Sequence, residues 1–427
     1  MARIHLVRNS PKSDSLLHVM TTVSVKPEVI RWAIDRSGLP TAELLKKFPK
    51  LDEWQSGVRQ PTFRQLETFA RTTMTPFGVM FLDKPPVEKL PVPDFRTKGD
   101  KPVTAYSPNL IDSIQTMQQR QAWMREWLIE EGAEPLNFVG SVDRIGNVKS
   151  LAQQIRQRLD LDADWAESLP SWELALQTLR KAAERIGVIV FSNSVVGLNN
   201  HRPLDPEEFR GFVLCDQYAP VIFLNDGDTK SARIFTLAHE LVHVWMGRDG
   251  VFNLDQMMPA NEETEQFCNQ VAAEFLVPAY KLTARWGEAK ATKNPFQTIA
   301  GWFKVSPVVV ARRALDLKLI TKPVFFRFLE QDQADWLTRQ VDLRQKSSGG
   351  NFYAMQNVRL GRRFSAAVVR AAREGRILYQ DAFRLTGMKG ATFSSYADLV
   401  LIWMRMHSSK QRIDIMGSTS ARDSGMR

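Results

Sequence analysis

The sequence predicts an α+β protein with a helical N-terminal module, a central core containing a small β-sheet, and a helical C-terminal region. Three observations support this fold class. Apolar residues recur at helical spacing towards both ends of the chain. Short runs of β-branched and aromatic residues cluster between positions 187 and 225. A length of 427 residues suits about three domains.

The composition indicates a packed protein without a membrane anchor. Hydrophobic residues make up 44% and charged residues 24%, which excludes wholesale disorder. The net charge of +10 favours acidic partners such as nucleic acid but carries no information about the fold. Two cysteines are too few for disulfide bonds to stabilise a chain of this length. We find neither the apolar core of a signal peptide nor an apolar run long enough for a membrane helix. We therefore expect a soluble, cytoplasmic protein with no membrane partner.

Residues 1–84 are predicted to form the helical module. Apolar side chains between Val29 and Ile34 recur at helical spacing. Thr41 and Thr62 are predicted N-caps of two further helices. Residues 85–106 contain five prolines and are predicted to be an extended connector.

Residues 107–320 are predicted to form the core domain, and residues 321–427 a basic helical region. The core is predicted to begin with a long helix over 108–131 and two shorter helices around 147–159 and 171–186. Three apolar runs then predict strands, of which FRGFVLCD and APVIFLND form a hairpin. A helix is predicted to start near Thr229.

That helix carries the clearest chemical motif, AHELVHVW, with His239, Glu240 and His243. Positions four apart share one helix face, so both imidazoles can reach one metal ion. Glu240 is offset around the helix, where it can approach water beside the metal. The alternative is a buried hydrogen-bonded cluster, but a strongly apolar helix gives little structural reason to hold all three groups.

A catalytic zinc ion usually has three protein ligands and one open position. The segment NEETEQFCNQVAAEFLVP is a predicted helix with four candidate glutamates, Glu262, Glu263, Glu265 and Glu274. Glu265 is the preferred third ligand. Asn269 lies one turn later and is the predicted partner that orients a histidine.

The segments RIFTLAHELVHVWMG and ETEQFCNQVAAEFLVP resemble the ImmA/IrrE family of zinc metallopeptidases, which are gluzincin-type HExxH enzymes. The similarity extends over about residues 187–280 and includes the predicted strand pair. It implies a zinc cofactor held by His239, His243 and Glu265, with Glu240 as the base.

The resemblance implies peptide hydrolysis. Zinc lowers the pKa of water towards ~7, and Glu240 takes a proton from that water and passes it to the leaving amine. The strand before the motif helix is predicted to pair with an extended substrate. Tyr218, His201 and Tyr280 are the candidates for stabilising the oxyanion, and the sequence does not decide among them.

Residues 25–82 resemble a Cro/repressor-like (XRE) helix-turn-helix domain, chiefly through the WxxGxxxPT pattern from Trp54 to Thr62. The segment before Trp54 is shorter than in that family and contains Pro49. It also carries Asp52 and Glu53, which repel phosphate. Base readout by this module is therefore in doubt, and a docking or sensing role is an equal alternative.

The C-terminal region has a basic segment with few acidic residues. Its arginines are predicted to lie close to one helix face, either as a solvated surface or as nucleic-acid contacts. These arginines are Arg359, Arg362, Arg363, Arg370, Arg373 and Arg376.

Two functions follow. The first is a zinc-dependent endopeptidase that cleaves a regulatory protein, with possible control by nucleic acid or stress. The resemblance implies a repressor or antitoxin-like substrate, because the family includes enzymes that cleave repressors and members encoded beside toxin genes. The alternative is a DNA-binding transcriptional regulator or antitoxin that uses the peptidase fold as a non-catalytic scaffold.

Overall fold

The computed structural model describes residues 22–88, 90, 92, 97–98, 101–102, 106–142, 145–252, 263–343 and 352–420. Half of the predicted connector, 85–106, lies outside these residues. The described chain falls into two compact units. The first includes residues 22–88 and 106–112. The second includes residues 97–98 and 101–102, together with Ser113 and the described residues after it.

The first unit is helical. Its elements are α1 (Pro27–Ser37), α2 (Thr41–Lys47), α3 (Leu51–Gln55), α4 (Phe63–Thr72) and a 3-10 helix, η1 (Phe77–Phe81). Phe48, Trp54 and Phe69 are buried, with ring centroids 5.5–6.0 Å apart. These three rings belong to the apolar core of the helical unit, where aromatic side chains bury large areas.

Two capping predictions had different outcomes. Thr62 caps α4, and its side chain forms a reciprocal capping box with Gln65, which confirms the prediction. The prediction for Thr41 was wrong, because Thr41 is the first residue of α2 and Pro40 occupies the N-cap position without a side-chain bond.

The second unit contains the sheet and the remaining helices. Its first elements, in chain order, are β1 (Thr97–Lys98), β2 (Lys101–Pro102), α5 (Pro108–Glu130, which starts in the first unit), α6 (Val148–Leu159), α7 (Trp172–Arg185), β3 (Ile189–Asn193), β4 (Val195–Val196), β5 (Asn199–Pro203), β6 (Gly211–Leu214), β7 (Val221–Asn225), α8 (Lys230–Met246) and β8 (Gly250–Phe252). They are followed by α9 (Glu263–Leu276), α10 (Ala279–Lys290), α11 (Pro295–Phe303), α12 (Pro307–Asp316), α13 (Lys322–Leu343), α14 (Phe352–Leu360), α15 (Arg362–Arg373), α16 (Tyr379–Thr386) and α17 (Gly390–Ser420).

The four-stranded sheet has the order β3-β7-β6-β8. Strands β3 and β7 are parallel, whereas β6 is antiparallel to both of its neighbours. The hairpin predicted from the sequence is confirmed by the register of β6 and β7, in which Phe212 lies opposite Phe223. Strands β3, β6 and β7 are buried along their whole length, which explains their unbroken apolar sequences.

The position of β7 corrects one prediction. The strand before the motif helix was expected to receive a substrate peptide, but β7 pairs with β3 on one side and β6 on the other. Both edges of β7 are therefore occupied by neighbouring strands, and a substrate peptide cannot pair with it. Along the described chain, the strands that end this sheet are β3 and β8.

The C-terminal helices pack against the β3 side of the sheet. Nη2 of Arg180 donates to the carbonyl of Val190 at 3.0 Å and to that of Val358 at 2.6 Å. Gly361 sits so close to β3 that an added Cβ would lie 2.9 Å from the Val190 oxygen. The boundary predicted near residue 320 thus lies inside the second unit. None of the helices in the described ranges is long and apolar enough to cross a membrane.

Candidate metal centre

Helix α8 places the HExxH motif in the middle of the core. The helix starts next to Thr229, as predicted, and the Thr229 side chain caps it by accepting from the Ala232 amide at 3.3 Å. Gly247 ends the helix at φ 64°. All residues from Ile234 to Met246 are buried. Because this helix has no solvated face over that span, its two histidines and one glutamate must be accommodated inside the protein.

The structure brings His239, His243 and Glu265 together. Nε2 of His239 lies 3.0 Å from Nε2 of His243. The two oxygens of Glu265 lie 3.1 Å and 3.0 Å from these nitrogens. All three side chains are at least 95% buried. Two imidazoles from α8 and one carboxylate from α9 therefore converge on one point.

The four glutamates proposed on α9 have different surroundings. Glu263 is exposed, and Glu262 lies outside the described residues. Glu274 is buried in an ion pair with Arg313 and accepts from the Ala279 amide. Only Glu265, among the glutamates of this segment that the structure describes, belongs to the cluster with the histidines.

The charges around the cluster favour an ionised glutamate. Burial alone would raise the pKa of Glu265, but its contacts with His239 and His243 outweigh burial and lower it. Burial lowers the pKa of His239, while Glu265 and the half-buried side chain of Asn269 act in the opposite direction. Asn269 is thus in electrostatic contact with His239, one turn of α9 beyond Glu265.

Glu240 is buried beside this cluster but takes no part in it. Its side chain is 1% exposed, and neither carboxylate oxygen has a hydrogen-bond partner among the described residues. Burial raises the pKa of Glu240 well above its ordinary value, and Glu265 raises it further. A carboxylate kept from other partners and biased towards holding a proton is suited to proton transfer.

The cluster fits a zinc ion. Zinc is bound tetrahedrally by histidine and carboxylate atoms at about 2.0–2.1 Å, which places ligand atoms about 3.3 Å apart. The observed separations of 3.0–3.1 Å are close to that value. Three groups with lone pairs directed at one point need a cation or shared protons between them. His239, His243 and Glu265 could therefore hold a metal ion as three protein ligands.

Comparison with known families places this site within a recognised domain. Residues 183–315 match the M78 peptidase family, described as the IrrE N-terminal-like domain. This match supports the ImmA/IrrE family and indicates a metallopeptidase-type domain, which implies a metal ion. Residues 360–398 match a domain of unknown function, DUF8813. No curated protein matches the chain. We refer to 183–315 as the M78 segment and to 360–398 as the DUF8813 segment.

The M78 segment contains the ligand cluster, Glu240 and Asn269, but the three oxyanion candidates are placed differently. His201 is exposed on β5, and the Tyr280 side chain at the start of α10 is 63% exposed. Tyr218 lies in the β6–β7 turn under the guanidinium of Arg125, 5.6 Å from its ring. Neither the sequence nor these positions selects one of them.

Two close contacts near the cluster of His239, His243 and Glu265 were missed by the sequence analysis. Nη1 of Arg248 donates to the Thr264 hydroxyl at 2.7 Å and joins the end of α8 to the start of α9. Gly211 allows β6 to approach α8, because a Cβ there would lie 2.7 Å from Cγ2 of Thr236 and 3.4 Å from Oε1 of Glu240. A glycine that begins an apolar strand was the available signal for this close approach.

The six arginines at the C-terminal end do not share one helix face, so that part of the prediction was wrong. Gly361, at φ 68°, separates α14 from α15, and Arg376 lies beyond α15. Arg359 is half-buried and lines a cavity that is partly open to solvent. Arg363 is half-buried near Glu184, and Arg362 lies over the ring of Trp403 at 5.2 Å.

The other three arginines form ion pairs. Arg370 contacts Glu131 at 2.7 Å, and Arg376 contacts Glu130 at 2.8 Å. Arg373 contacts Asp398 at 2.7 Å. These pairs offset much of the local positive charge within the protein. Contact of these arginines with nucleic acid stays a prediction.

Proposed function

We propose that the protein is a zinc-dependent endopeptidase that cleaves a regulatory protein. The observation that carries this proposal is the buried convergence of His239, His243 and Glu265 beside a carboxylate, Glu240, that has no hydrogen-bond partner among the described residues. The match of the surrounding segment to the M78 peptidases supports the same reaction class.

Each site residue has a defined task in this proposal. His239, His243 and Glu265 hold the zinc ion, and Asn269 orients His239. When bound, zinc supplies Lewis-acid polarisation of the scissile carbonyl and lowers the pKa of water. Glu240 accepts a proton from the attacking water and delivers it to the leaving amine, so that no charged amine anion has to leave.

The sheet suggests where an extended peptide would lie. Strand β8 follows α8 directly and pairs with β6 through Val251 and its neighbours. It ends the sheet on the side away from β3 within the described chain. A substrate strand added there would gain main-chain hydrogen bonds, with side-chain specificity supplied by alternate residues.

The first unit and the substrate are proposed to have regulatory roles. We propose an XRE-like helix-turn-helix role for α1 to α4, with the short α3 and its acidic residues Asp52 and Glu53 favouring protein docking over base readout. The proposed substrate is a repressor or antitoxin-like partner, and the proposed compartment is the cytoplasm. Both proposals rest on the family resemblance.

The first test is the metal content of the purified protein. We expect about one zinc ion per chain in the wild type and in Glu240→Gln, and a loss of zinc in His243→Ala. His201→Ala removes an exposed histidine of the same unit and serves as the matched control, which should retain zinc. Wild-type protein without stoichiometric zinc would favour the alternative, a non-catalytic scaffold.

The second test is cleavage. Co-expression with the product of a neighbouring gene should give a cut partner with the wild type and an intact partner with Glu240→Gln. The inactive variant should also retain the partner on purification, where mass spectrometry identifies it. Equal cleavage by wild type and Glu240→Gln would refute the catalytic role of Glu240.

A further inference from the structure

A cavity separate from the metal cluster lies where α5, the strands of the M78 segment and the C-terminal helices meet. It encloses about 410 Å³, including the part that opens to solvent. Its walls include Arg120 from α5, Phe223 from β7, Gln356 and Arg359 from α14, and Thr386 from α16.

Gln356 is the unusual member of this wall. It is 0% exposed, yet neither its amide nitrogen nor its amide oxygen has a partner among the described residues. A buried amide without hydrogen bonds destabilises the folded state and is rarely retained without a use. Its donor and acceptor are adjacent, so one polar group in the cavity can satisfy both.

Arg120 adds a buried positive charge. It is 8% exposed, and its guanidinium packs over the rings of Phe191 and Phe364 at 5.2 Å and 5.8 Å. Its Nε donates to the Leu385 carbonyl at 2.8 Å, but no carboxylate of the described chain forms an ion pair with it. Burial lowers the pKa of Arg120 to about 10, so it stays charged at neutral pH.

Arg359 brings a second cation to the same cavity. It is half-buried, and burial lowers its pKa while Asp226 acts in the opposite direction. Asp226 is already engaged by Arg233 and by the Ser192 hydroxyl. The other polar side chains of the wall are used within the protein, as Asn193 donates to the Gly197 carbonyl and Thr386 to that of Ala382.

We propose that this cavity binds a small molecule carrying an oxyanion, either a carboxylate or a phosphate, between Arg120 and Arg359. The Gln356 amide nitrogen donates a hydrogen bond to an oxygen of that oxyanion. Guanidinium groups match both anions through paired N–H donors. The M78 segment contributes Phe223 and the DUF8813 segment contributes Thr386, so the ligand contacts both family segments.

The test is thermal unfolding in sodium phosphate and in sodium acetate, each compared with sodium chloride at equal ionic strength. We expect one of the two oxyanions to raise the Tm of the wild type above its value in chloride, and the anion that does so identifies the charged group. Arg359→Gln should abolish this rise. Arg384→Gln removes an equal charge from an exposed surface ion pair and should retain it.

A second variant separates a ligand-binding amide from a structural one. Gln356→Met keeps the side-chain length and removes the unsatisfied groups, so the Tm of the ligand-free protein should rise while the response to the oxyanion falls. A lower Tm for Gln356→Met in chloride would overturn the proposal. So would a wild type that responds to neither oxyanion, or an equal response in Arg359→Gln and Arg384→Gln.

Discussion

Oε2 of Glu265 lies 3.1 Å from Nε2 of His239, although the two residues belong to different helices. Glu265 lies in the first turn of α9, and His239 lies in the buried middle of α8. Their contact gives the cluster its third side chain and its negative charge. It therefore provides the most direct way to test metal binding.

Glu265→Gln should reduce zinc affinity by more than the ~10–100-fold that is typical for loss of an outer-shell partner, because it removes a ligand charge. Glu263→Gln changes an exposed glutamate of the same helix and should leave zinc affinity unchanged. Competition with a chromogenic chelator measures both. Equal affinities in the two variants would exclude Glu265 as a ligand.

The buried pair of Arg313 and Glu274 is predicted to be important for folding. Arg313→Met leaves the Glu274 carboxylate buried without its cation, which should lower the free energy of unfolding by about 3–5 kcal/mol. Arg384→Met breaks an exposed pair with Asp381 and should have little effect. Urea unfolding followed by circular dichroism provides the comparison, and similar midpoints for both variants would contradict it.

Gly211→Ala should destabilise the protein by about 1–3 kcal/mol, because the added methyl group meets Cγ2 of Thr236 at 2.7 Å and the Phe223 carbonyl at 2.9 Å. Gly287→Ala is the control. Gly287 lies inside α10 with no atom within 4 Å of the new Cβ, so alanine there should stabilise by about 0.5–1 kcal/mol. Calorimetry should give Tm changes of opposite sign, and a stabilising Gly211→Ala would be inconsistent with the close approach of β6 to α8.

Glu131 is expected to stabilise the folded protein in a pH-dependent way. Its hydrogen bond with Arg376, together with the charge of Arg370, lowers the pKa of Glu131 below its ordinary value. A carboxylate whose pKa is lower in the folded state stabilises above the unfolded-state pKa, and this contribution is lost as the pH falls. Glu131→Gln should therefore have a lower Tm than the wild type at pH 7, with a gap that narrows below pH 4.5.

The same gap should shrink in high salt, because these side chains are solvent-accessible and screened. A difference in Tm that is constant from pH 7 to pH 3 would show that Glu131 acts through packing instead of charge.

The sequence was sufficient to predict the local parts of the fold. Thr229 and the apolar run after it predicted α8, and the two runs around Gln217 predicted the β6–β7 hairpin. The glutamates of α9 were also open to local reasoning, since Glu265 and Glu274 are nine residues apart and so point to opposite sides of a helix. Which of the two faces the histidines depends on how α9 packs against α8, so this spacing alone did not select Glu265.

The errors concern contacts between distant parts of the chain. Strand β7 is interior because β3, from much earlier in the chain, pairs with it in parallel, and periodicity does not indicate that pairing. The partners of Arg370 and Arg376 lie at the end of α5, far away in sequence, and no local pattern indicates that their charges are paired. Gln356 was not singled out, because only its tertiary surroundings reveal that its amide is buried without a partner.

The division of the ligands between α8 and α9 has a consequence for folding. An ion held by His243 and Glu265 would act as a cross-link that closes the chain between the two helices and lowers the entropy of the unfolded state. Chelation would then loosen α9 from α8, and the melting temperature would rise with metal concentration. The resistance of α9 to proteolysis would thus report metal occupancy even where no substrate is known.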